Sequence, residues 1–249
     1  MVPPEYDVHV DERIPVISSL LVICPTRGRK ENCERLLKSF EMNTDDADLV
    51  FVTDGDDQDS YDGMDWGSAL HAQLDPRDTL SGKLNQTANA CVNDYDALMF
   101  VGDDHVFRTR NWDELMKIAL DDMGDTGILC PDGRRKPGMP ESWLMSSDIV
   151  KELGWLACPS LQHFHLDDVI AELGKRSQLI QGCPEVIIEH LHYTTGNAPK
   201  DEIYSYAENT WGISDEQAYQ QWRATVMPHQ IAVLRRKFNP DVKWAIRQI

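Results

Sequence analysis

The feature that most constrains this chain is a short uncharged apolar run that ends abruptly in polar, chemically capable residues, and then recurs. Leu20-Leu-Val-Ile-Cys24 leads into Pro25-Thr-Arg-Gly-Arg29, and Ala97-Leu-Met-Phe-Val101 leads into Gly102-Asp-Asp-His105. Runs of this length and type predict strands buried on both faces, as in a parallel sheet covered by helices. Between the two runs, Cys33, Leu36, Leu37 and Phe40 recur at i, i+3, i+4, i+7, the spacing of a helix face. Asp48-Leu-Val-Phe-Val-Thr53 then reads as a second strand that ends in Asp54-Gly-Asp-Asp57. Strand, helix, strand is a βαβ unit, so the expected class is α/β with a mostly parallel central sheet flanked by helices.

The rest of the chain extends this pattern. Residues 1–17 carry three prolines and read as an irregular lead-in. A third strand is expected near Ala69–Leu74, a helix over Gly82–Val92, and a helix capped by Asn111 with Glu114 in capping-box spacing. Gly127–Cys130 and Ser142–Met145 read as strands. Asp148–Leu153 and Leu166–Leu173 read as short helices, each ended by the following Gly. Val186–Ile188 leads as a strand into Glu189-His-Leu-His192. Ser214 with Gln217 opens a helix toward Met227, and Pro228 separates it from another that carries Ile231, Leu234 and Phe238. These boundaries give one α/β domain over 18–198 and a helical C-terminal extension over 199–249.

Charge narrows the function. Lys and Arg number 24 against 42 Asp and Glu, a net charge of −18, which disfavours broad binding to nucleic acid or anionic membrane. The distribution is uneven. From Asp45 to Asp65 there are nine aspartates and no base, whereas Trp222–Ile249 holds six basic residues against one acid, Asp241. The basic tail is expected to dock on its own acidic body, and the Asp56–Asp65 stretch to be a solvated loop. The six cysteines form no CxxC pair and suggest neither a disulfide framework nor a zinc site. No signal peptide or membrane-spanning run is evident, so a cytoplasmic location is expected.

In open α/β sheets ligands bind at the carboxyl ends of the strands. Thr26, Arg27, Arg29, Asp54, Asp103, Asp104, His105 and His190 all fall at such ends. Adjacent carboxylates repel and call for a cation. Oxygen ligands with an imidazole suit Mn²⁺ or Mg²⁺, and a hard ion suits a diphosphate. On an unbroken strand His190 and His192 would point to the same side, so spacing leaves either as the ligand. If His190 is the ligand, metal affinity should fall as an ordinary imidazole protonates, below about pH 6.5. Arg27, Arg29 and Lys83 supply positive charge for phosphates, or else neutralise the neighbouring acids. Asp167 and Asp168 open the Leu166 helix on the side away from its apolar face. There the helix dipole would lower a carboxylate's pKa, which suits plain helix N-terminal chemistry or, for either Asp167 or Asp168, the role of an ionised general base.

Together, the stretches Leu20–Arg29, Val50–Asp54, Phe100–His105 and Glu189–His192 resemble the GT-A nucleotide-sugar glycosyltransferases, particularly small family-2-like and phage-type members. The resemblance covers about residues 18–195. It implies that Thr26, Arg27 and Asp54 hold the nucleotide, and that Asp103 and Asp104, with His105 beside them, hold the metal on the diphosphate. It also implies that His190 completes the metal site, and that Asp168 or Asp167 is the base of an inverting transfer. The signature here is GDDH where the family has D-x-D, which leaves open which side chains reach the metal. The implied donor is a nucleotide-sugar, with modified DNA, protein and glycan all open as acceptors. A nucleotidyltransferase of related fold is the rival enzyme, and a catalytically inactive nucleotide-sugar-binding module is the rival outside catalysis. The single glycine of the first loop, Gly28, favours transfer over nucleotide-sugar synthesis.

Overall fold

The computed structural model describes residues 17–74 and 78–239. The expected lead-in, apart from Ile17, and Asp241, Lys243 and Arg247 of the basic tail lie outside the described residues.

The first apolar run is strand β1 (Leu20–Pro25), buried at every position, and the helical spacing after it becomes α1 (Lys30–Asn43), which buries Cys33, Leu36, Leu37 and Phe40. Strands β2 (Asp48–Asp54) and β3 (Leu70–Leu74), helix α2 (Leu80–Cys91) and strand β4 (Ala97–Phe100) follow. Next come β5 (His105–Phe107), α3 (Trp112–Asp122), β6 (Ile128–Asp132), β7 (Trp143–Ser146) and α4 (Ser147–Leu153). The chain continues through α5 (Leu166–Ser177), β8 (Ile180–His190), α6 (Glu202–Thr225) and α7 (Met227–Phe238).

These strands form one eight-stranded sheet in the order β3-β2-β1-β4-β7-β6-β8-β5. The first four pair in parallel, as the βαβ reading expects. Beyond β4 the sheet is mixed: β7 runs antiparallel to β4 and β6, β8 is parallel to β6, and β5 is antiparallel to β8. Because β2 and β4 flank β1 on opposite sides, the chain reverses its direction across the sheet there. That reversal opens a crevice at the carboxyl ends of β1 and β4. Alternate side chains enter two cores. Leu21 and Ile23 pack with α2, α4, α5, α6 and α7, while Leu20, Val22 and Cys24 pack with α1 and α3. Each fully buried Leu, Ile or Phe contributes roughly 1.5–3 kcal/mol. Tyr219, Trp222, Met227, Ile231 and Leu234 of the two C-terminal helices belong to the first of these cores. Two of the described basic residues there also dock on the body: Lys237 Nζ lies 2.6 Å from Glu152 and Arg223 Nε 2.7 Å from Glu172.

Several local expectations are corrected. Asn111 makes no side-chain cap to α3 and takes a left-handed backbone, with φ 52°. Asp113 in its first turn instead holds the loop between α1 and β2, its carboxylate accepting the backbone amides of Asp45, Asp46 and Ala47. Ser214 lies inside α6, which Asp201 caps by accepting from Tyr204 N. Gly154 ends α4 in the left-handed region as expected, but α5 runs through Gly174 to Ser177. Gly174 is needed for space: a Cβ there would lie 2.6 Å from Ile180 Cβ at the start of β8. All six cysteines are free thiols. No helix among the described residues is long and apolar enough to cross a membrane.

Candidate active site

The crevice holds a cavity of about 650 Å³. Its floor is the turn after β4. A Cβ at Gly102 would lie 2.8 Å from Asp104 Oδ1 and 3.1 Å from His105 Nδ1, so glycine lets both side chains fold back over the turn. The adjacent acids diverge. Asp103 Oδ2 accepts from Thr26 Oγ1 at 2.8 Å and its Oδ1 from Arg29 Nη1 at 3.1 Å. Asp104 turns instead to imidazoles, with His105 Nδ1 at 3.1 Å from Oδ1 and His190 Nε2 at 3.3 Å from Oδ2.

Their ionisation diverges too. Burial raises the Asp103 pKa, and the Asp104 charge adds to this against the opposing pull of Arg29. Burial acts the same way on Asp104, but the two histidines outweigh it and hold Asp104 well below the usual carboxylate range.

His105 and His190 are directly opposite in the antiparallel β5–β8 register, and their rings stack at 4.4 Å. Ligand atoms of Asp104, His105 and His190 all lie within 4.8 Å of one another. Buried His105 Nε2 and His190 Nδ1 have no hydrogen-bond partner, and Glu141 Oε2 is 3.8 Å from the latter. One carboxylate oxygen, two imidazole nitrogens and unused buried lone pairs suit a divalent ion of the Mn²⁺ type. The strand ends at His190, so the two-residue alternation does not carry on to His192. That ring accepts from Thr194 N and lines the cavity with its centroid 5.1 Å from that of His190. A second acidic cluster, Asp46, Asp113 and Glu114, is satisfied by the Asp113 turn and by Lys117, which contacts both Asp46 and Glu114.

On one side of this floor, Asp54 is fully buried and accepts from Arg27 Nη1 at 2.9 Å and Lys83 Nζ at 2.8 Å. Arg27 also meets Asp56, and Gly28 N donates to Asp57 at 2.7 Å. The acidic stretch expected to be a solvated loop therefore folds partly as a 3-10 helix, Gly55–Tyr61, braced against the arginine loop. Thr26, Arg27, Arg29, Asp54, Lys83 and Asp103 all line the cavity.

The opposite wall carries Asp167 and Asp168. Asp168 Oδ2 is 2.7 Å from His165 Nδ1, and its side chain is 38% exposed. Asp167 Oδ1 accepts from the Asp168 amide at 3.0 Å. The expectation that the helix dipole lowers both acids fails for Asp167: burial raises its pKa, and neighbouring Asp168 raises it further. The loop before α5 is pinned by buried Asp215 of α6, which accepts the amides of Gln162, His163 and Phe164 at 2.8–3.0 Å.

A lid over the floor escaped the sequence reading. The first turn of α6 brings Tyr204 Oη to Asp104 Oδ2, and Asp201 to Arg29 through bonds of 2.8 and 2.9 Å. The Arg29 guanidinium lies 4.3 Å from the Tyr204 ring centroid. Nothing in the spacing of Tyr204 marks it as a site residue. Glu141 and Lys136 were also missed, although the Arg134-Arg135-Lys136 run was a readable signal.

No known protein-family profile and no curated protein matches the sequence. Solved structures do match in fold. The mannosyltransferase PcManGT from Pyrobaculum calidifontis, in complex with GDP-Man and Mn²⁺, matches with a TM-score of 0.53 at 11% identity, over 94% of this chain and 77% of that one. Glucosyl-3-phosphoglycerate synthase from Mycobacterium tuberculosis, with Mn²⁺, UDP-glucose and glycerol 3-phosphate, matches with 0.53 at 11% identity, over 83% and 79%. S. aureus TarS 1–349 in complex with UDP matches with 0.50 at 14% identity, over 69% of this chain, which spans 59% of that protein chain. The fold is the GT-A fold of these nucleotide-sugar glycosyltransferases.

Proposed function

We propose that the chain is a metal-dependent glycosyltransferase, moving a sugar from a nucleotide-sugar to an acceptor hydroxyl. The observation that carries this reading is the convergence of Asp104, His105 and His190 on one point beside Arg27, Arg29 and Lys83, in a fold whose solved examples bind nucleotide-sugars and Mn²⁺. In this reading Asp104, His105 and His190 hold Mn²⁺ or Mg²⁺, and the chemistry such an ion supplies is charge neutralisation on the diphosphate leaving group. Thr26 and Arg29 fix Asp103. Asp54 holds Arg27 and Lys83 toward the phosphates.

Asp167 is the better base. Burial raises its pKa, which makes it more basic than an ordinary aspartate. Asp168 holds His165 and steadies the start of α5. Asp167 takes the acceptor hydroxyl proton as that oxygen bonds the anomeric carbon and the nucleoside diphosphate departs.

The deciding experiment is a screen of nucleotide-sugars with Mn²⁺, read by thermal shift and released nucleoside diphosphate. One donor should stabilise the protein only with metal, and Asp104→Asn should abolish the effect. Synthesis of a nucleotide-sugar from sugar phosphate and nucleoside triphosphate, or no metal-dependent binding at all, would overturn the reading.

A further inference from the structure

The wall opposite the nucleotide cradle carries charge that the proposed donor site does not use. β6 ends at Asp132, and Gly133-Arg-Arg-Lys136 follows, one of two Arg-Arg-Lys runs in a chain of net charge −18. Arg134 turns back onto Asp132 at 3.2 Å, and Arg135 donates to Glu141 at 2.6 Å. Lys136 is exposed and lines the cavity with Asp167.

The other cations lining this cavity are all matched. Arg27 and Lys83 face Asp54, Arg29 faces Asp103 and Asp201, and Arg135 faces Glu141. Among the described residues, Lys136 alone of them has no carboxylate partner. The acids of this wall are matched as well, with one exception. Asp168 meets His165, Glu141 meets Arg135 and Glu208 meets Lys200, which leaves Asp167. A cation without an ion-pair partner and a carboxylate that feels its charge thus line the same space. Beside them Trp211 stacks on His163 at 5.8 Å and meets Tyr206 edge-on at 5.5 Å, a flat wall suited to the carbon face of a small molecule.

We infer that the acceptor is a phosphomonoester bearing the hydroxyl to be glycosylated, its phosphate on Lys136 and its hydroxyl at Asp167. This rests on the glycosyltransferase reading. A phosphate supplies the close ion-pair partner that Lys136 lacks, with Arg135 of the same lining as a second donor. The overall charge repels a long polyanion, but a small phosphomonoester meets chiefly the local positive field. The arrangement also helps the base. Lys136 and Arg135 draw the Asp167 pKa down against its burial, so a phosphate that neutralises them makes Asp167 more basic as the acceptor arrives.

The test uses the full chain saturated with Mn²⁺ and the nucleoside diphosphate of the donor found by screening. Ribose 5-phosphate is titrated as probe, with ribose and a short single-stranded oligothymidylate as the other arms. Ribose 5-phosphate should bind and ribose should not. Lys136→Glu should weaken ribose 5-phosphate by about tenfold or more, the scale of a charge-assisted contact turned repulsive, while Lys136→Arg retains it and nucleotide affinity is unchanged in both. Intact nucleotide binding with a ribose 5-phosphate affinity indifferent to Lys136→Glu overturns the inference. So does Lys136-dependent binding of the oligonucleotide without the sugar phosphate. If no nucleotide binds, the donor reading fails, and the same titration on the nucleotide-free protein still tests the phosphate site.

Discussion

The Tyr204 hydroxyl donates to Asp104 Oδ2, the oxygen that also lies 3.3 Å from His190 Nε2. A helix outside the βαβ core therefore covers the one carboxylate that belongs to the candidate metal centre. Asp201, three residues earlier, grips Arg29 at the same time. Opening the centre to a metal–diphosphate pair requires Asp104 to exchange its phenol partner.

Tyr204→Phe should consequently tighten Mn²⁺ binding to the nucleotide-free protein, by about tenfold or more if one hydrogen bond to a charged group is removed from the competing state. Calorimetric titration with Mn²⁺ measures this directly. Weaker binding in the variant would make the hydroxyl part of the metal site instead of its cover.

Metal binding should depend on pH well above the range of an ordinary imidazole. Burial alone would depress His190, but Asp104 and Glu141 on its two nitrogens outweigh this and raise its pKa to about 9. The ion must displace that proton, so Mn²⁺ affinity should rise about tenfold per pH unit up to about pH 9 and then level off. The sequence alone placed this change at about pH 6.5. In the metal-free protein the same proton is stabilising. Its contribution is full below about pH 6.5 and is lost as pH rises through about 9. His190→Gln should flatten both dependences, measured by titration and by thermal melting.

Turnover should drop about a hundredfold or more in Asp167→Asn and much less in Asp168→Asn, with donor and metal binding unchanged in both. Since burial raises Asp167, the acid limb of the rate profile should lie above the pH of an ordinary carboxylate, with activity lost as pH falls through it. The limb should disappear in Asp167→Asn. The opposite ranking of the two variants would return the role to Asp168.

Gly174→Ala should destabilise the protein by about 1–3 kcal/mol, although alanine favours helix, because its Cβ would meet Ile180 Cβ at 2.6 Å where α5 hands over to β8. Denaturant unfolding tests this. A neutral or stabilised variant would mean that β8 shifts freely.

What the sequence determined by itself was local and periodic. Buried apolar runs set β1, β2 and β4, helical spacing set α1, and polar residues at strand ends marked Thr26, Arg27, Asp54 and the Asp103–His105 turn. These follow from neighbours in the chain, where side-chain period and loss of apolarity are directly readable. Tertiary structure decided whatever depends on residues far apart. The β5–β8 register set His190 against His105, and β8 ends before His192. Differing surroundings of adjacent side chains gave Asp167 and Asp168 different partners. Folding α6 back across the floor joined Tyr204 to Asp104, a pair 100 residues apart. Register, burial and lid placement are set by packing across the whole sheet, and no local pattern encodes them.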